Sequence, residues 1–531
     1  MSKKKKSNNT SQGKDLIPHQ VLEEQDEKVL SGNLEETIRF IEDLLSQNDD
    51  FVTRRFHIFG NFSAAMFYFS NLVDPSVINT DILKPLMYVP PHLAGREVKQ
   101  EQLLNVLLKE TIYQSETELE DHLSPLVQVL LRGKTVLIIE GLDQALHIGT
   151  RTIAKRAVDE PKTEQVILGP REGFIEQLET NLGLLRYRLQ TADLQIKTLK
   201  LGRLSKTKVA ICYIEGITNA EVIKEVENRL SKIDIDIIPD IGYIEQFIED
   251  HKFSPFPQMM STERPDKTVS NLAEGRVAVL VDGSPFSLLL PVVFNQFYQT
   301  AEDYTNRFLM GNFVRISRIL ALVFSLIFPS LYVSLISFHP ELLPTEFAVA
   351  VSGGRAGVPY PAVVEVLFIE VAMEILREAT VRLPTQVGGA LSIVGVLIVG
   401  EAAVSAGFAS PITVVIIALT TIGSFATPSY TASFALRMLR FPLILLAGIF
   451  GLYGVVIGII LIFNHMLSLK SFGVPYMSPV SPGNAQGWKD VVFRSSLWRL
   501  SKRPAFLHAS NRKRVGKEAE EQSNETNHTR G

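Results

Sequence analysis

The sequence predicts a multidomain chain: two N-terminal α/β soluble domains followed by an all-α transmembrane domain of about four spans with interfacial or re-entrant helices. Three observations predict it. At 531 residues the chain is too long for one ordinary domain. Helical and strand-like patterns alternate up to about Glu274, within a charged background. From Pro285 to Leu469 the chain is mostly apolar, and after Trp488 it turns basic. The net charge of −4 argues against a dedicated nucleic-acid binder.

Residues 1–32 form a lysine-rich polar tail with no apolar segment behind it, so it reads as disordered and not as a signal peptide. The first soluble domain is expected over 33–153. In NLEETIRFIEDLLSQ, Leu34, Ile38, Ile41 and Leu45 fall on one side of a helix. RRFHIFG and SAAMFYFSNLV read as strands joined at Gly60-Asn61. LSPLVQVLLRG reads as a helix ending at Gly133, and KTVLIIEG as a buried strand. Residues 154–171, with Pro161 and Pro170, look like a linker. The second domain, 172–284, repeats the mixture. REGFIEQLETNLGLLRYRL is helical, LQIKTLKLG and TKVAICYIEG are strands, and NAEVIKEVENRLSKI is a helix capped by Thr218 or Asn219. GRVAVLVDG is a further strand closed by Asp282-Gly283. A fragment from Asn33 to Glu274 is therefore expected to fold alone. The single cysteine, Cys212, excludes an intrachain disulfide and fits a reducing compartment.

The transmembrane domain is expected over 285–470. Four stretches are long or apolar enough to span: Ile319–Phe338, Leu391–Phe408, Ile412–Ala426 and Phe441–Phe463. Pro329 kinks the first, and Glu401 interrupts the second. Pro285–Phe297 is too short to cross and is expected at the interface. The acidic segment Pro361–Pro384 is compatible with crossing, re-entering or lying flat. The basic tail, 471–531, is a positive-inside signal. Four spans put both ends of the chain in the cytoplasm and Arg437 and Arg440 on the outer side, where they can pair with acidic residues.

Enzyme signatures are absent: no GxxxxGK(S/T), no GxGxxG after a strand, no HExxH and no GxSxG. No cofactor is implied, and the histidines have no metal-ligand spacing. VSGGRAGVP (Val351–Pro359) can offer backbone amides to an anion, but an ordinary connecting loop explains it better. The polar signal lies in PAVVEVLFIEVAMEILREATVRLP. Glu370, Glu374 and Glu378 are four apart and share one helical stripe. Charge within a bilayer costs roughly 2.5–3.5 kcal/mol per residue, so the stripe must face water, a partner or a pore. Arg377 and Arg382 are spaced to pair with Glu374 and Glu378. A structural ion-pair network and a cation path are both open; three carboxylates near one arginine favour the path. Glu401 has no basic neighbour in sequence and sits among small residues, which otherwise signify close helix packing.

The stretch PAVVEVLFIEVAMEILREATVRLPTQVGGALSIVGVLIVGEAAVSAGFASPI closely resembles the A subunit of GerA-family spore germination nutrient receptors. So do FATPSYTASFALRMLRFPL, NLAEGRVAVLVDGSPFSLLLPVVF and FGVPYMSPVSP. The resemblance runs from about Asp193 to Arg503, with a looser match before it. It implies a multi-pass protein of the inner spore membrane with cytoplasmic N-terminal domains. It further implies a multispan, transporter-like B subunit and a lipoprotein C subunit as partners, contact with membrane lipids, and homo-oligomerisation into a ligand-gated cation path.

Two rival classes remain at this level. A secondary transporter or exporter of a small solute or ion commonly carries paired repeats of its spans, and none is visible here. A scaffold would tolerate neutralisation of its membrane carboxylates. Single cysteines at Ser7 and Ser523, with Cys212 replaced, are expected to resist an impermeant maleimide in intact cells; labelling of either from outside overturns the shared cytoplasmic placement of the ends.

Overall fold

The computed structural model describes residues 17–88, 98–152, 160–166, 168–381, 400–483 and 487–515. The first sheet contains β1 (Phe51–Ile58), β2 (Phe62–Phe69), β3 (Thr117–Glu120), β4 (Thr135–Ile139) and β5 (Ala145–Ile148). Its order is β1-β2-β4-β5-β3, and every pairing is antiparallel. The second contains β6 (Leu194–Leu201), β7 (Thr207–Ile214), β8 (Met260–Thr262), β9 (Val277–Val281) and β10 (Ser287–Leu290). Its order, β6-β7-β9-β10-β8, is the same topology over again, also antiparallel throughout. The hairpins β1–β2 and β6–β7, with their short turns, set antiparallel ladders.

The correspondence extends to the helices. Leu34–Leu45 precedes the first sheet as Leu178–Arg188 precedes the second. Leu123–Leu131 leads into β4 as Pro265–Glu274 leads into β9. Both of the latter end at a glycine with positive φ, Gly133 at 88° and Gly275 at 105°, the conformation that closes a helix at lowest cost to a residue without Cβ. The cap expected on the helix Ala220–Ser231 is Asn219, whose side chain accepts the Glu221 amide.

Each sheet is buried on both faces. In the first, Ala65, Phe67, Val136 and Ile138 pack with helix residues such as Ile38 and Leu126, while Ala64, Met66, Leu137 and Ile139 pack the other way against Ile82 and Leu103. That is why β4 reads as an unbroken apolar run. In the second, Val209, Ile211, Val277 and Val279 meet Val226 and Ile244. Its opposite face is shared. Leu194, Ala278 and Leu289 lie in one cluster with Leu322, Leu436 and Met466 of the apolar helices. The second sheet is the floor on which the helix bundle stands.

Ser287–Leu290, expected at a membrane interface, is therefore an interior strand with every residue buried. The second domain runs past residue 284, and β9 lies between β7 and β10. Part of the expected linker is docked as well: Lys162 and Thr163 donate backbone amides to Glu263, and Lys267 reaches Glu164 at 2.6 Å. The two sheet domains are joined by a buried pair, Arg186 to Asp50, at 2.5 and 2.6 Å, with Asn48 at 2.8 Å.

Among the described residues, two helices are long and apolar enough to cross a membrane, Phe308–Phe338 and Tyr430–Ser468, with mean hydropathy 2.4 and 2.7. Pro411–Phe425 is a shorter apolar helix. Half of the stretch Leu391–Phe408, residues 391–399, falls outside the described residues; 400–405 are helical. The 39-residue helix is not straight. Gly451 has φ 59° and ψ −140°, and the chain folds back there. In a continuous helix Leu446 and residue 454 would lie about 12 Å apart. Instead a Cβ on Gly454 would overlap the Leu446 carbonyl, and one on Gly458 would overlap Leu443. The expected single span Phe441–Phe463 is thus an antiparallel hairpin whose crossing requires glycine. Its turn meets the far end of the first helix, at Phe338. Its second arm returns to the sheet domain, where His465 Nε2 lies 2.9 Å from Ser254 Oγ.

The described residues just beyond the bundle, expected to begin a tail, pack back on the sheet domain. Ser471 Oγ accepts the Val292 amide and donates to the Gln258 carbonyl, and Phe294 N donates to Tyr476 O. A fragment of residues 17–290 is expected to keep slow amide exchange in β6, β7 and β9. The same fragment cut at Glu274 is expected to keep it only in the first sheet; equal protection in both removes the assigned strand order.

Candidate functional site: charged clusters in the helix bundle

The acidic helix, Ala362–Val381, follows Pro361 and runs antiparallel to the first arm of the hairpin. Glu370 and Glu374 are one turn apart on it, and Arg437 and Arg440 are about one turn apart on its neighbour. Antiparallel packing brings them into register. Arg440 Nη1 donates to both Glu370 oxygens at 2.9 and 2.8 Å, with both residues buried. Glu374 lies 3.2 Å from Arg437 Nε and 3.1 Å from Arg377 Nη1. Arg377 Nη2 also donates to Ser424 Oγ at 3.2 Å. The cluster sets two carboxylates against three guanidinium groups, so its charges are largely compensated.

Of the residues singled out by sequence, the structure brings together Glu370, Glu374 and Arg377. Glu378 and Glu401 lie on exposed surface of the chain. Arg382 falls outside the described residues. The pairing of Arg437 and Arg440 with acidic residues is realised, through the acidic helix.

The sequence reading missed Glu365, which is fully buried. Its carboxylate accepts the Ser410 amide at 2.5 Å and faces Arg355 Nε at 3.2 Å. Ser410 caps the helix Pro411–Phe425, whose N-terminal end favours a carboxylate nearby. Thr413 in its first turn hydrogen-bonds Tyr332 of the first helix at 2.9 Å. Arg355, in the stretch considered for anion binding, thus spends its side chain on Glu365 and the Tyr360 carbonyl. Glu365 stands five residues before Glu370, off the stripe, so periodicity gave no signal.

A second cluster closes the foot of the first helix. Asp303 accepts from Arg315 Nε at 3.0 Å and from Arg318 Nη1 at 3.2 Å. Arg315 Nη1 reaches Asp490 at 2.7 Å, and Tyr304 OH donates to the same carboxylate at 2.7 Å. Arg494 Nη1 donates to the Asp303 carbonyl at 2.7 Å. Burial pushes the Asp490 carboxyl above the usual carboxylate range, with Arg315 pulling the other way. The arginines precede the expected span at Ile319; Asp303 is near both in sequence, but the second partner of Arg315, Asp490, lies 175 residues on, beyond reach of local pattern.

Among the described residues, Glu120, Asp121 and His122 place donor atoms within 4.8 Å of one another. The Asp121 and His122 amides already donate to Glu120 Oε1, and His122 Nδ1 lies 2.5 Å from Asp121 Oδ1, which is local loop bonding.

The architecture is a bundle that holds helices long and apolar enough to cross a membrane, with charge paired inside it, seated on tandem antiparallel sheets. The chain belongs to the Bacillus/Clostridium GerA spore germination protein family, which it matches over residues 39–506. It is 43% identical over 454 residues to spore germination protein KA of Bacillus subtilis (strain 168), covering 86% of this chain and 82% of that one. It is 36% identical over 484 residues to spore germination protein GerLA of Bacillus cereus, covering 91% and 97%. The uncharacterized membrane protein YfkQ of Bacillus subtilis is 37% identical over 506 residues, covering 95% and 97%. The crystal structure of the N-terminal domain of the A subunit of the Bacillus megaterium germinant receptor GerK3 is 32% identical; it covers 50% of this chain and 98% of that one, at a TM-score of 0.39.

Removing one partner of Glu370–Arg440 leaves a buried charge, at a cost of about 3–5 kcal/mol. Glu370→Gln or Arg440→Gln alone is expected to lower the melting temperature and abundance of the purified protein. The double substitution is expected to recover most of the loss; additive single effects dismiss the pair as a structural lock.

Proposed function

We propose that the chain is the A subunit of a germinant receptor: a non-enzymatic, multi-pass protein of the inner spore membrane that acts with a B subunit and a lipoprotein C subunit. Its copies associate, and together they supply a cation path that opens on nutrient binding and commits the spore to germination. The observation that carries the reading is family membership along nearly the whole chain, with relatives named as spore germination proteins. The common placement of the sheet domains and the post-bundle segment at one end of the bundle supports both ends lying in the cytoplasm.

Position divides the acidic residues by task. Glu370 and Glu374 face the neighbouring helix and its arginines and serve as locks between helices. Glu378 and Glu401 lie on exposed surface of the chain, and we assign them to a path formed with other copies, where negative charge concentrates cations at a narrow entry. The test is germinant-dependent potassium flux from liposomes holding the receptor with its partners. Glu378→Gln with Glu401→Gln is expected to lower the flux several-fold at unchanged abundance, whereas Glu370→Gln is expected to lower abundance first. Unchanged flux in the double variant removes these two residues from the path; no flux in any preparation removes the channel reading.

A further inference from the structure

Between the sheet domain and the foot of the bundle lies a cleft of about 460 Å³. One wall carries Glu164, Arg264 and Lys267, and the other Arg377, Tyr430 and Arg437. Most of these charges have partners. Arg264 is held by Asp266 at 2.8 Å, and Lys267 by Glu164 at 2.6 Å. Arg377 and Arg437 share the single carboxylate of Glu374. Arg437 is the exception in its donors. Its side chain is only 6% exposed, yet its one ionic partner among the described residues is Glu374, at 3.2 Å. Its Nε is not aligned for a hydrogen bond even there. Of the five N–H donors of this guanidinium, the one on Nε is both dry and without a hydrogen bond, which is costly. The group borders a cleft with one positive charge in excess.

The surroundings define the missing partner. Arg437 packs over the rings of Phe434, at 5.4 Å, and Tyr430, at 5.9 Å, and Arg377 over Phe425, at 5.0 Å. Those three rings are themselves exposed on the outside of the bundle. Aromatic side chains beside arginine at the end of an apolar bundle are the composition of a membrane–water boundary. Thr427 adds a hydroxyl to the same cleft, while Ser424 and Ser433, also on its wall, donate theirs to the Thr421 and Ser424 carbonyls. A planar guanidinium fork matches the oxygens of a phosphate group.

We propose that this cleft is a phosphate site, with Arg437 as its principal ligand and Lys267 at the opposite wall. Its position favours the phosphodiester of an anionic lipid headgroup; a free phosphate has the same chemistry. The lipid source rests on the membrane placement proposed above, while the site itself does not. Bound there, a headgroup would join the linker and second sheet domain to the acidic helix through one shared ion.

The full chain is purified into nanodiscs of phosphatidylglycerol or of phosphatidylcholine, and retained lipid is measured by native mass spectrometry after detergent exchange. Melting is followed in parallel with added inorganic phosphate. Wild type is expected to retain phosphatidylglycerol over phosphatidylcholine. Arg437→Lys, which keeps a charge for Glu374 but loses the fork, and Lys267→Gln are each expected to reduce that preference about tenfold, the scale of one charge-assisted contact. Stabilisation by inorganic phosphate, lost in Arg437→Lys, identifies a soluble phosphate as the occupant. No lipid preference and no response to phosphate in the wild type, or equal behaviour of wild type and both variants, overturns the site. Both readouts use purified protein without germinant, so a failure of the channel reading does not touch them.

Discussion

A guanidinium removed from water must find acceptors wherever it lands, and in this chain that requirement falls at the joints. Among the described residues, the four largest side chains sealed in the interior are Arg186, Arg264, Arg276 and Arg315. Arg186 stands between the two sheet domains, on Asp50 and Asn48. Arg264 gathers the linker, through the carbonyls of Glu164 and Pro170. Arg276 donates to the Pro291 carbonyl, where the second sheet gives way to the chain that leads into the bundle. Arg315 binds the foot of the first helix to Asp303 and Asp490. Arginine suits such places because its charge persists and its donors are fixed in a plane. Each joint is specific because the alternative, a dry and unpaired charge, is so unfavourable.

The two sheet domains show what this does to a repeated fold. Their strand order is the same, but their surroundings differ. The first keeps both helix layers to itself. The second has given one face to the bundle, so its core is continuous with the apolar helices. Displacement of that sheet is therefore felt at Leu322, Leu436 and Met466 without any intervening linker.

Much of this was legible in the sequence. The hairpins β1–β2 and β6–β7, the helix ending at Gly133 and the Asn219 cap follow from local pattern and turn chemistry. Short edge strands did not: three of the four residues of Thr117–Glu120 are polar, and they pair only because β5 is already in place. Ser287–Leu290 read as membrane-facing because a strand buried on both faces lacks alternation. The hairpin at Gly451 was hidden among Gly448, Gly454 and Gly458, which share its composition but not its backbone angles. For the site, the stripe of Glu370 and Glu374 and the liability of Arg437 and Arg440 were visible. Which carboxylate meets which arginine depends on helix register, and Glu365 and Arg315 depend on partners that only the folded chain supplies.

The long reach of Arg315 bears on how the protein is made. Asp303 leaves the ribosome just before the first helix, but Asp490 follows Arg315 by 175 residues. At 5–20 residues per second that gap lasts roughly 10–35 s. Throughout that interval the helix has one of its two ionic anchors, and the hairpin and the acidic helix are placed against a foot that is still open. The closing contact waits for a segment 175 residues further along the chain. A truncated product lacking it would leave Arg315 with Asp303 alone at the base of the first apolar helix, a ready mark of an unfinished molecule.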